Sequence, residues 1–232
     1  ICGMGGTIVV TGATSGLGLA LIGQLKKAGY QPVLTGRNHE KVDVLATELG
    51  VPGYQLDVAA ATSIQQVSAR IIDDLGPVDG LINNAGIWLE GDFETYSAAQ
   101  IQQVIDTNTT GTILTTHAFL PDMLERRRGT VINTVSTGEL YCRKLISVYS
   151  ASKWAIRGFT GCMEVECAPK GVRVMGFYPG KIASSMYETA GITRDLEIAM
   201  TPEQGAEMVV TMLQAEGMVW SQVSGRAISD YQ

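Results

Sequence analysis

The sequence contains little histidine, few cysteines and no long hydrophobic run. Only 2 histidines and 4 cysteines occur in 232 residues, and Cys2, Cys142, Cys162 and Cys167 lack the spacing of metal ligands or of a disulfide framework. This usage fits a reducing compartment and predicts a cytoplasmic protein that binds no metal. No stretch reaches the ~18 apolar residues of a membrane helix, and no basic segment precedes an apolar core at the N-terminus. We therefore expect neither a membrane span nor a secretory signal.

Positive charge is also scarce. The chain carries 17 Lys and Arg residues against 23 Asp and Glu, a net charge of −6 at pH 7. Proteins that bind nucleic acid normally present a basic face, so this balance argues against a nucleic-acid partner. A chain of 232 residues with 45% hydrophobic content can bury a sizeable core in one unit. We predict a single domain over residues 1–232.

Short β-branched segments alternate with longer helical segments along the chain. The predicted strands lie near 7–11, 32–36, 53–57, 80–83, 129–136, 171–177 and 225–230. The predicted helices lie near 16–28, 38–49, 60–75, 97–127, 147–169 and 203–214. The strands are almost entirely apolar, as is typical of a parallel sheet covered on both faces. Right-handed crossovers then predict an α/β fold, a Rossmann-type doubly wound sheet with strand order 3-2-1-4-5-6-7.

A glycine-rich turn separates the first predicted strand from the first helix. In this setting Gly12 permits a tight turn, Gly16 lets the backbone approach a pyrophosphate, and Gly18 lets the helix pack on the strand. The free N–H groups of the first helical turn and the helix dipole then favour a negatively charged ligand. The turn therefore predicts a dinucleotide site that includes Gly12, Thr14, Ser15, Gly16, Leu17 and Gly18.

Tyr149 and Lys153 lie four residues apart in a predicted helix. Side chains at this spacing share one helix face. A free tyrosine titrates near ~10, and a nearby cation stabilises the phenolate and brings the group into a range useful for proton transfer. An isolated Tyr-x-x-x-Lys pair is more often an ordinary exposed helix pair, so its interpretation depends on the other motifs.

These segments, with others between them, resemble the short-chain dehydrogenase/reductase family. Thr-Gly-x-x-x-Gly-x-Gly is that family's form of the glycine motif. Its other elements are matched, in chain order, by Asp57-Val58, Asn83-Asn84-Ala85-Gly86, Asn108, Ser136 and Pro179-Gly180. The resemblance runs from about Thr7 to about Asp230, which is nearly the whole chain.

The resemblance implies an oxidoreductase that transfers a hydride between a nicotinamide cofactor and a carbonyl or alcohol substrate. In it, Tyr149 exchanges a proton with the substrate oxygen and Ser136 fixes that oxygen by a hydrogen bond. Lys153 lowers the pKa of Tyr149 and binds the nicotinamide ribose, and Asn108 holds a water that links Lys153 to solvent. The implied cofactor contacts are Asp57, Val58, Asn83, Ala85, Gly86, Pro179, Gly180, Ile182 and Ser184, together with the glycine turn, Tyr149 and Lys153.

The end of the second strand indicates which cofactor is used. NAD-dependent enzymes place an acidic residue there for the ribose hydroxyl, whereas an arginine accommodates the 2′-phosphate of NADP. Here Gly36 occupies the acidic position and Arg37 follows it. This favours NADP(H), with NAD(H) as the alternative if Arg37 only closes the loop. Many NADP-using relatives carry a second basic residue in the glycine motif, where this chain has Ser15.

Several features stay open on the sequence alone. Residues 137–145 are expected at the pocket mouth, where Glu139 either favours a polar or cationic substrate or pairs with Arg143 or Lys144. Residues 181–202 form either a lid over the substrate or a mobile surface loop. A lyase or a nucleotide-sensing binding protein on the same fold is the alternative to an oxidoreductase. Relatives pair through the helices that begin here near Ala98 and Ser147, which predicts a homotetramer or homodimer.

Overall fold

The computed structural model describes residues 5–137, 142–193 and 195–227, which form a seven-stranded parallel sheet with helices on both faces. The strand order is β3-β2-β1-β4-β5-β6-β7, so the predicted fold class and order are confirmed. The strands are β1 (Thr7–Val10), β2 (Gln31–Gly36), β3 (Gly53–Gln55), β4 (Gly80–Asn83), β5 (Gly129–Thr134), β6 (Val172–Pro179) and β7 (Gln222–Gly225).

Eight α-helices connect and cover these strands in the part of the chain that the structure describes. They are α1 (Gly16–Lys27), α2 (His39–Leu49), α3 (Ala61–Leu75), α4 (Ala98–Ile105), α5 (Gly111–Glu125), α6 (Ser147–Cys167), α7 (Met186–Thr189) and α8 (Pro202–Gln214). Successive side chains of each strand point to opposite faces of the sheet, so residues of β1 contribute to two hydrophobic cores. Ile8 and Val10 pack with α1 and α8, while Val9 packs with α3, α5 and α6.

The predicted helix over 97–127 is interrupted. It divides into α4, a π-helical segment (Asp106–Thr110) and α5. The fully buried amide of Asn108 lies in the π-helical segment and hydrogen bonds to the backbone of Ile87, outside the helix. A π-helical turn that carries a functional side chain in an otherwise regular helix is a common arrangement. The continuous helix predicted from periodicity was therefore wrong at this point.

Three predicted strands were too long or displaced. β5 ends at Thr134, so Ser136 follows the strand, and β3 ends at Gln55, so Asp57 and Val58 lie in the next loop. The strand predicted at 225–230 instead occupies Gln222–Gly225, where it pairs with the C-terminal half of β6, and residues 228–230 lie outside the described residues. The helix predicted near 203–214 is observed as α8, and a reciprocal capping box between Thr201 and Gln204 fixes its start, with Pro202 at the first helical position.

The segment between β6 and α8 is partly ordered by backbone pairing. Ala183 N donates to Met200 O at 2.8 Å, and Met200 N donates to Lys181 O at 3.0 Å. The short helix α7 lies within this closed segment. Among the described residues, no helix is long and apolar enough to cross a membrane.

Candidate active site

A cavity of about 560 Å³ opens at the carboxyl edge of the sheet. Its lining comes from the glycine turn after β1, the loops after β2, β4, β5 and β6, and the first turns of α6. β1 pairs with both β2 and β4, so consecutive connections leave the sheet in opposite directions between β1 and β4. This is the position at which doubly wound sheets bind ligands.

The glycine turn brings the backbone close to its neighbours. Gly12 and Gly16 have φ of +63° and +51°. A Cβ at Gly12 would lie 2.8 Å from Ala85 Cα, and one at Gly16 would lie 2.9 Å from Ser184 Cβ, so side chains there would fill the cleft. The first turn of α1 has no acidic residue and Ser15 makes no capping bond among the described residues, which leaves backbone N–H groups for an anion at the cavity wall.

The loop after β4 is tied to the glycine turn by Thr11. The Thr11 hydroxyl accepts bonds from Asn84 N and Ala85 N at 3.0 Å each, and Asn84 Nδ2 donates to Thr11 O and Gly12 O at 3.1 and 3.2 Å. Of the four residues in the Asn-Asn-Ala-Gly element, the structure places Asn84, Ala85 and Gly86 on the cavity wall.

Asn83, by contrast, lies away from the cavity. It is 3% exposed, and its Nδ2 donates to Thr116 Oγ1 and to Asn133 Oδ1 at 2.9 Å each. Asn133 in turn donates to Thr160 Oγ1 at 2.9 Å. The amide of Asn83 therefore joins β4 to β5, α5 and α6, and the neighbouring Asn84 takes the cavity position that the sequence analysis gave to Asn83.

Tyr149 and Lys153 lie side by side in the first two turns of α6, and both line the cavity. They are 6% and 5% exposed. Lys153 Nζ donates to Thr134 O at 2.9 Å and lies 5.9 Å from the centroid of the Tyr149 ring. Ser136, in the loop after β5, lines the same cavity. The three groups expected to act on the substrate are thus brought together.

Asn108 lies behind this group. Its Oδ1 accepts a bond from Ile87 N at 2.8 Å, and its Nδ2 donates to Ile87 O at 3.0 Å and to Ser152 Oγ at 3.1 Å. A Cβ at Gly86 would lie 3.4 Å from Asn108 Oδ1 and 3.7 Å from Lys153 Nζ. Gly86 therefore occupies the place where the Asn108 amide and the Lys153 ammonium approach each other.

Two further aromatic residues line the cavity on the Tyr149 side. The Trp88 ring is tilted on Tyr149 with centroids 4.3 Å apart, and Tyr187 of α7 meets Trp88 edge to face at 5.0 Å. Trp88 Nε1 donates to Glu90 Oε2 at 2.8 Å, which orients the indole. The sequence analysis missed both residues. Trp88 directly follows the Asn-Asn-Ala-Gly-Ile run, and this position is the sequence feature from which its place in the site could have been predicted.

The other end of the cavity carries exposed positive charge. Arg37, Asn38 and Lys41 line it, and Asn38 Oδ1 accepts a bond from Lys41 N at 2.8 Å at the start of α2. Lys41 was missed by the sequence analysis. Val58 lines the cavity, whereas Asp57 does not. The Asp57 Oδ1 accepts a bond from Ala59 N at 3.0 Å within its own loop.

The remaining expected contacts lie near the pocket mouth. Pro179, Gly180, Ile182 and Ser184 line the cavity after β6, as do the cations Arg143 and Lys181. Glu139 and Tyr141 lie outside the described residues, so the expected pairing of Glu139 is not located. The described residues contain no group of three or more His, Cys, Asp and Glu side chains that could hold a metal ion.

Comparisons with known proteins place the chain in a family. Residues 6–195 match the family model described as short chain dehydrogenase. The chain is 35% identical over 182 residues to an uncharacterized oxidoreductase of Staphylococcus epidermidis, covering 78% of this chain and 79% of that protein. It is 34% identical over 216 residues to the NADP-dependent 3-hydroxy acid dehydrogenase of Salmonella typhi, covering 87% and 86%. A solved serine dehydrogenase in complex with NADP⁺ superposes with a TM-score of 0.89, 28% identity and 94% coverage of both chains.

Proposed function

Because this chain belongs to the short-chain dehydrogenase family and is an oxidoreductase acting on hydroxy or carbonyl groups, we propose that it uses NADP(H) to interconvert a small carbonyl compound and its alcohol. One observation carries the proposal. The glycine turn, Arg37, Ser136, Tyr149 and Lys153 all line a single cavity at the carboxyl edge of the sheet.

The residues present fit a dinucleotide. The close approach of Gly12 to Ala85 and of Gly16 to Ser184 leaves room for a backbone-bound pyrophosphate and for no side chain. Leu56 and Val58 supply an apolar wall for the adenine, and Ile182 and Ser184, in the segment after β6, line the same cavity. When bound, the nicotinamide cofactor supplies the hydride donor or acceptor, and the protein supplies orientation and electrostatics.

In the proposed mechanism, Tyr149 gives a proton to the substrate oxygen during reduction and takes it back during oxidation. Ser136 donates a hydrogen bond to the same oxygen, which orients and polarises the carbonyl. Lys153, fixed by its bond to Thr134 O, places a positive charge beside the phenol and stabilises its ionised form.

The proposed role of Asn108 is to support proton supply behind Lys153. The Asn108 amide hydrogen bonds with the Ile87 backbone and with Ser152. These bonds hold the neighbouring Gly86 next to the Lys153 ammonium. The buried Oγ1 atoms of Thr107 and Thr134 have no hydrogen-bond partner among the described residues, and both residues line the cavity. These atoms are suitable partners for water between Lys153 and solvent.

Preference for NADP(H) is supported by charge. Arg37 and Lys41 place two cations at the adenosine end, and the acidic residue typical of NAD-dependent enzymes is replaced by Gly36. A guanidinium binds a 2′-phosphate through charge-assisted bonds, whereas a carboxylate would repel it. The NADP-dependent relative and the NADP⁺-bound neighbour agree with this preference.

For the substrate we propose a 3-hydroxy acid or the corresponding oxo acid. Arg143 and Lys181 line the same cavity as Tyr149, and in this proposal either cation pairs with the substrate carboxylate while Tyr149 meets the reacting carbonyl. Trp88 and Tyr187 would enclose the carbon chain. The relative from Salmonella typhi acts on 3-hydroxy acids, which agrees with this substrate class.

We further propose that the protein is a homo-oligomer built on α6. The exposed face of α6 carries small and apolar residues at helical spacing, namely Ala151, Trp154, Ala155, Gly158, Cys162 and Val165. Trp154 and Val165 are 46% and 74% exposed in the monomer. A second copy of α6 would cover this face at close helix–helix distance.

A rate assay with each cofactor tests the proposed function. NADPH oxidation is followed by absorbance with a panel of 3-oxo acids, simple ketones and aldehydes. We expect turnover with NADPH that exceeds turnover with NADH, and a higher kcat/KM for 3-oxo acids than for ketones of the same length without a carboxylate. Tight NADPH binding without turnover on any carbonyl would instead indicate a nucleotide-binding protein.

A further inference from the structure

The hydroxyl of Tyr96 joins two loops that flank the active site. It lies 2.8 Å from Gly91 O and 2.9 Å from Leu145 O, so its proton is shared between the two carbonyls. Gly91 N donates to the same Leu145 carbonyl at 2.8 Å. Tyr96 and Gly91 belong to the loop after β4, whereas Leu145 immediately precedes α6. These bonds therefore hold the loop after β4 against the start of the helix that carries Tyr149.

Leu145 is held in an unfavourable backbone conformation. Its φ is +69°, and in the described residues only Arg127 is another non-glycine residue with positive φ. Leucine rarely adopts this region, because its Cβ crowds the following carbonyl. Its side chain is 46% exposed, so burial of the side chain does little to impose this conformation. The bonds to its carbonyl are the visible restraint that keeps Leu145 there.

The first turn of α6 depends on this residue. Ile146 is the N-cap position, makes no side-chain capping bond among the described residues, and accepts from Ser150 N at 2.8 Å. The first turn of the helix contains no acidic residue either. Tyr149 lies within this turn. An uncapped helix start frays unless the preceding chain is fixed, so the geometry of Leu145 bears directly on the position of Tyr149.

The same loop also holds Tyr149 from the other side. Trp88 packs on the Tyr149 ring, and its indole is fixed by Glu90, the residue before Gly91. Burial raises the pKa of Tyr96, and the charges of Glu90 and Asp92 raise it further. The Tyr96 hydroxyl therefore keeps its proton across the working pH range and remains a donor.

We propose that Tyr96 is a positioning residue for catalysis, which acts by keeping Leu145 in its positive-φ conformation and thereby fixing the first turn of α6 around Tyr149. The proposal rests on the proposed function of Tyr149 as the proton donor. Tyr96 does not touch the substrate in this arrangement. Its effect reaches the reaction through the backbone of residues 145–149.

A double-variant experiment tests this coupling. Tyr96→Phe keeps the ring and removes the hydroxyl's bonds to Gly91 O and Leu145 O, while the bond from Gly91 N to the Leu145 carbonyl remains. Leu145 is then less restrained, which allows the first turn of α6 to shift. We expect kcat to fall about 10-fold, because a displacement of Tyr149 of about 1 Å can slow a reaction by about 100-fold and a smaller displacement should slow it less. The KM for NADPH should stay unchanged. Leu145→Gly should retain the wild-type kcat, because glycine adopts positive φ without strain. In the Leu145→Gly background, Tyr96→Phe should cost less kcat than it does alone, because no Cβ strain then favours leaving the positive-φ conformation.

Amide hydrogen exchange of residues 150–153, whose N–H groups make the first hydrogen bonds within α6, gives a readout that needs no turnover. Exchange should be faster in Tyr96→Phe than in the wild type and should return toward the wild-type rate in the double variant. Tyr54→Phe is the matched control, because it removes a tyrosine hydroxyl bonded to Asp74 at 3.0 Å, away from the cavity. Both kcat and the exchange of residues 150–153 should be unchanged in that control.

Three outcomes would overturn the proposal. The first is wild-type kcat and exchange in Tyr96→Phe. The second is a double variant as impaired as Tyr96→Phe, because the effect would then not act through Leu145. The third is global unfolding of Tyr96→Phe, because the proposal assigns the hydroxyl a local effect. Absence of turnover in the wild-type protein would count against the proposed function alone, since the exchange measurement still decides the role of Tyr96.

Discussion

The ammonium nitrogen of Lys153 lies 5.9 Å from the centroid of the Tyr149 ring and donates to the carbonyl of Thr134 at 2.9 Å. The hydrogen bond to Thr134 maintains the distance to Tyr149, because it anchors the long, flexible lysine side chain to the end of β5. The cation is thereby kept beside the phenol and 5% exposed, where its effect on ionisation is stronger than it would be in water.

Lys153→Met should alter both the rate and its pH dependence. Removal of the cation leaves the phenol to ionise nearer its ordinary pKa of ~10, so the kcat for alcohol oxidation should reach its half-maximal value at a higher pH than in the wild type. At neutral pH we expect kcat to fall at least ~10-fold. The measurement is a pH profile of alcohol oxidation. Lys153→Arg keeps a positive charge as the control, and an unshifted profile in Lys153→Met would exclude the proposed role.

Asn108→Ala should lower both stability and rate. The variant removes three hydrogen bonds from a fully buried amide and leaves the Ile87 backbone groups without this partner. We expect the free energy of unfolding to fall by about 1–3 kcal/mol, measured by urea denaturation. Gln102→Ala is the nearby control, because its bond to Asp106 is exposed and its loss should change stability by less than about 0.5 kcal/mol. Equal stability losses in the two variants would contradict the inference that the buried hydrogen bonds of Asn108 stabilise the fold.

Arg37→Ala should weaken NADPH binding while leaving NADH binding almost unchanged. NADH has no 2′-phosphate, so only NADPH loses a charge-assisted bond, and its Kd should rise about 10- to 100-fold. Titration of both cofactors by fluorescence measures the effect. Lys41→Ala should act in the same direction and more weakly, because Lys41 presents a flexible point charge at an exposed position.

Arg37→Asp tests whether the cofactor preference can be reversed from NADPH to NADH. A carboxylate at position 36 would be the obvious change, but a Cβ at Gly36 would lie 2.6 Å from Thr14 Cγ2 and would disturb the cavity wall. The exposed position 37 avoids that collision. If the wild-type protein binds NADH more tightly than NADPH, then Arg37 only closes the loop and the NADPH preference is wrong.

Gly158→Glu should break the proposed oligomer without unfolding the subunit. A Cβ at Gly158 meets no described atom within 4 Å in the monomer, so a charged side chain is tolerated unless a second copy covers this face. Light scattering at micromolar concentration should give a dimer or tetramer for the wild type and a smaller species for the variant. Gly23→Glu in α1 is the matched control, since it also lies in a helix with open space around it. A wild-type monomer would contradict the assembly proposal.

The parts of the site that were predictable from the sequence are local along the chain. Gly12, Gly16 and Gly18 occur within one strand–turn–helix unit, and Tyr149 and Lys153 are one helical turn apart. Such spacings fix geometry through backbone rules alone. The sheet order was predictable because helical segments separate successive short apolar strands, and crossovers between parallel strands are right-handed as a rule.

The parts that were missed depend on contacts between distant segments. Asn83 and Asn84 are adjacent and chemically identical, and only the partners Asn133 and Thr116 in one case and Thr11 in the other decide which faces the cavity. The π-helical turn at Asn108 follows from a bond to Ile87, 21 residues away. Tyr96 and Leu145 meet across 49 residues. No periodicity or local propensity encodes these pairs.

The most direct test of the central claim is the rate of NADPH oxidation by wild type and by Tyr149→Phe on the same 3-oxo acid, with NADPH affinity measured in parallel. The variant keeps the ring that packs on Trp88 and loses only the hydroxyl. We predict that kcat falls at least ~10²-fold while the Kd for NADPH stays within a few-fold of the wild-type value. A Tyr149→Phe enzyme that turns over at nearly the wild-type rate would show that Tyr149 is not the proton donor and would refute the mechanism.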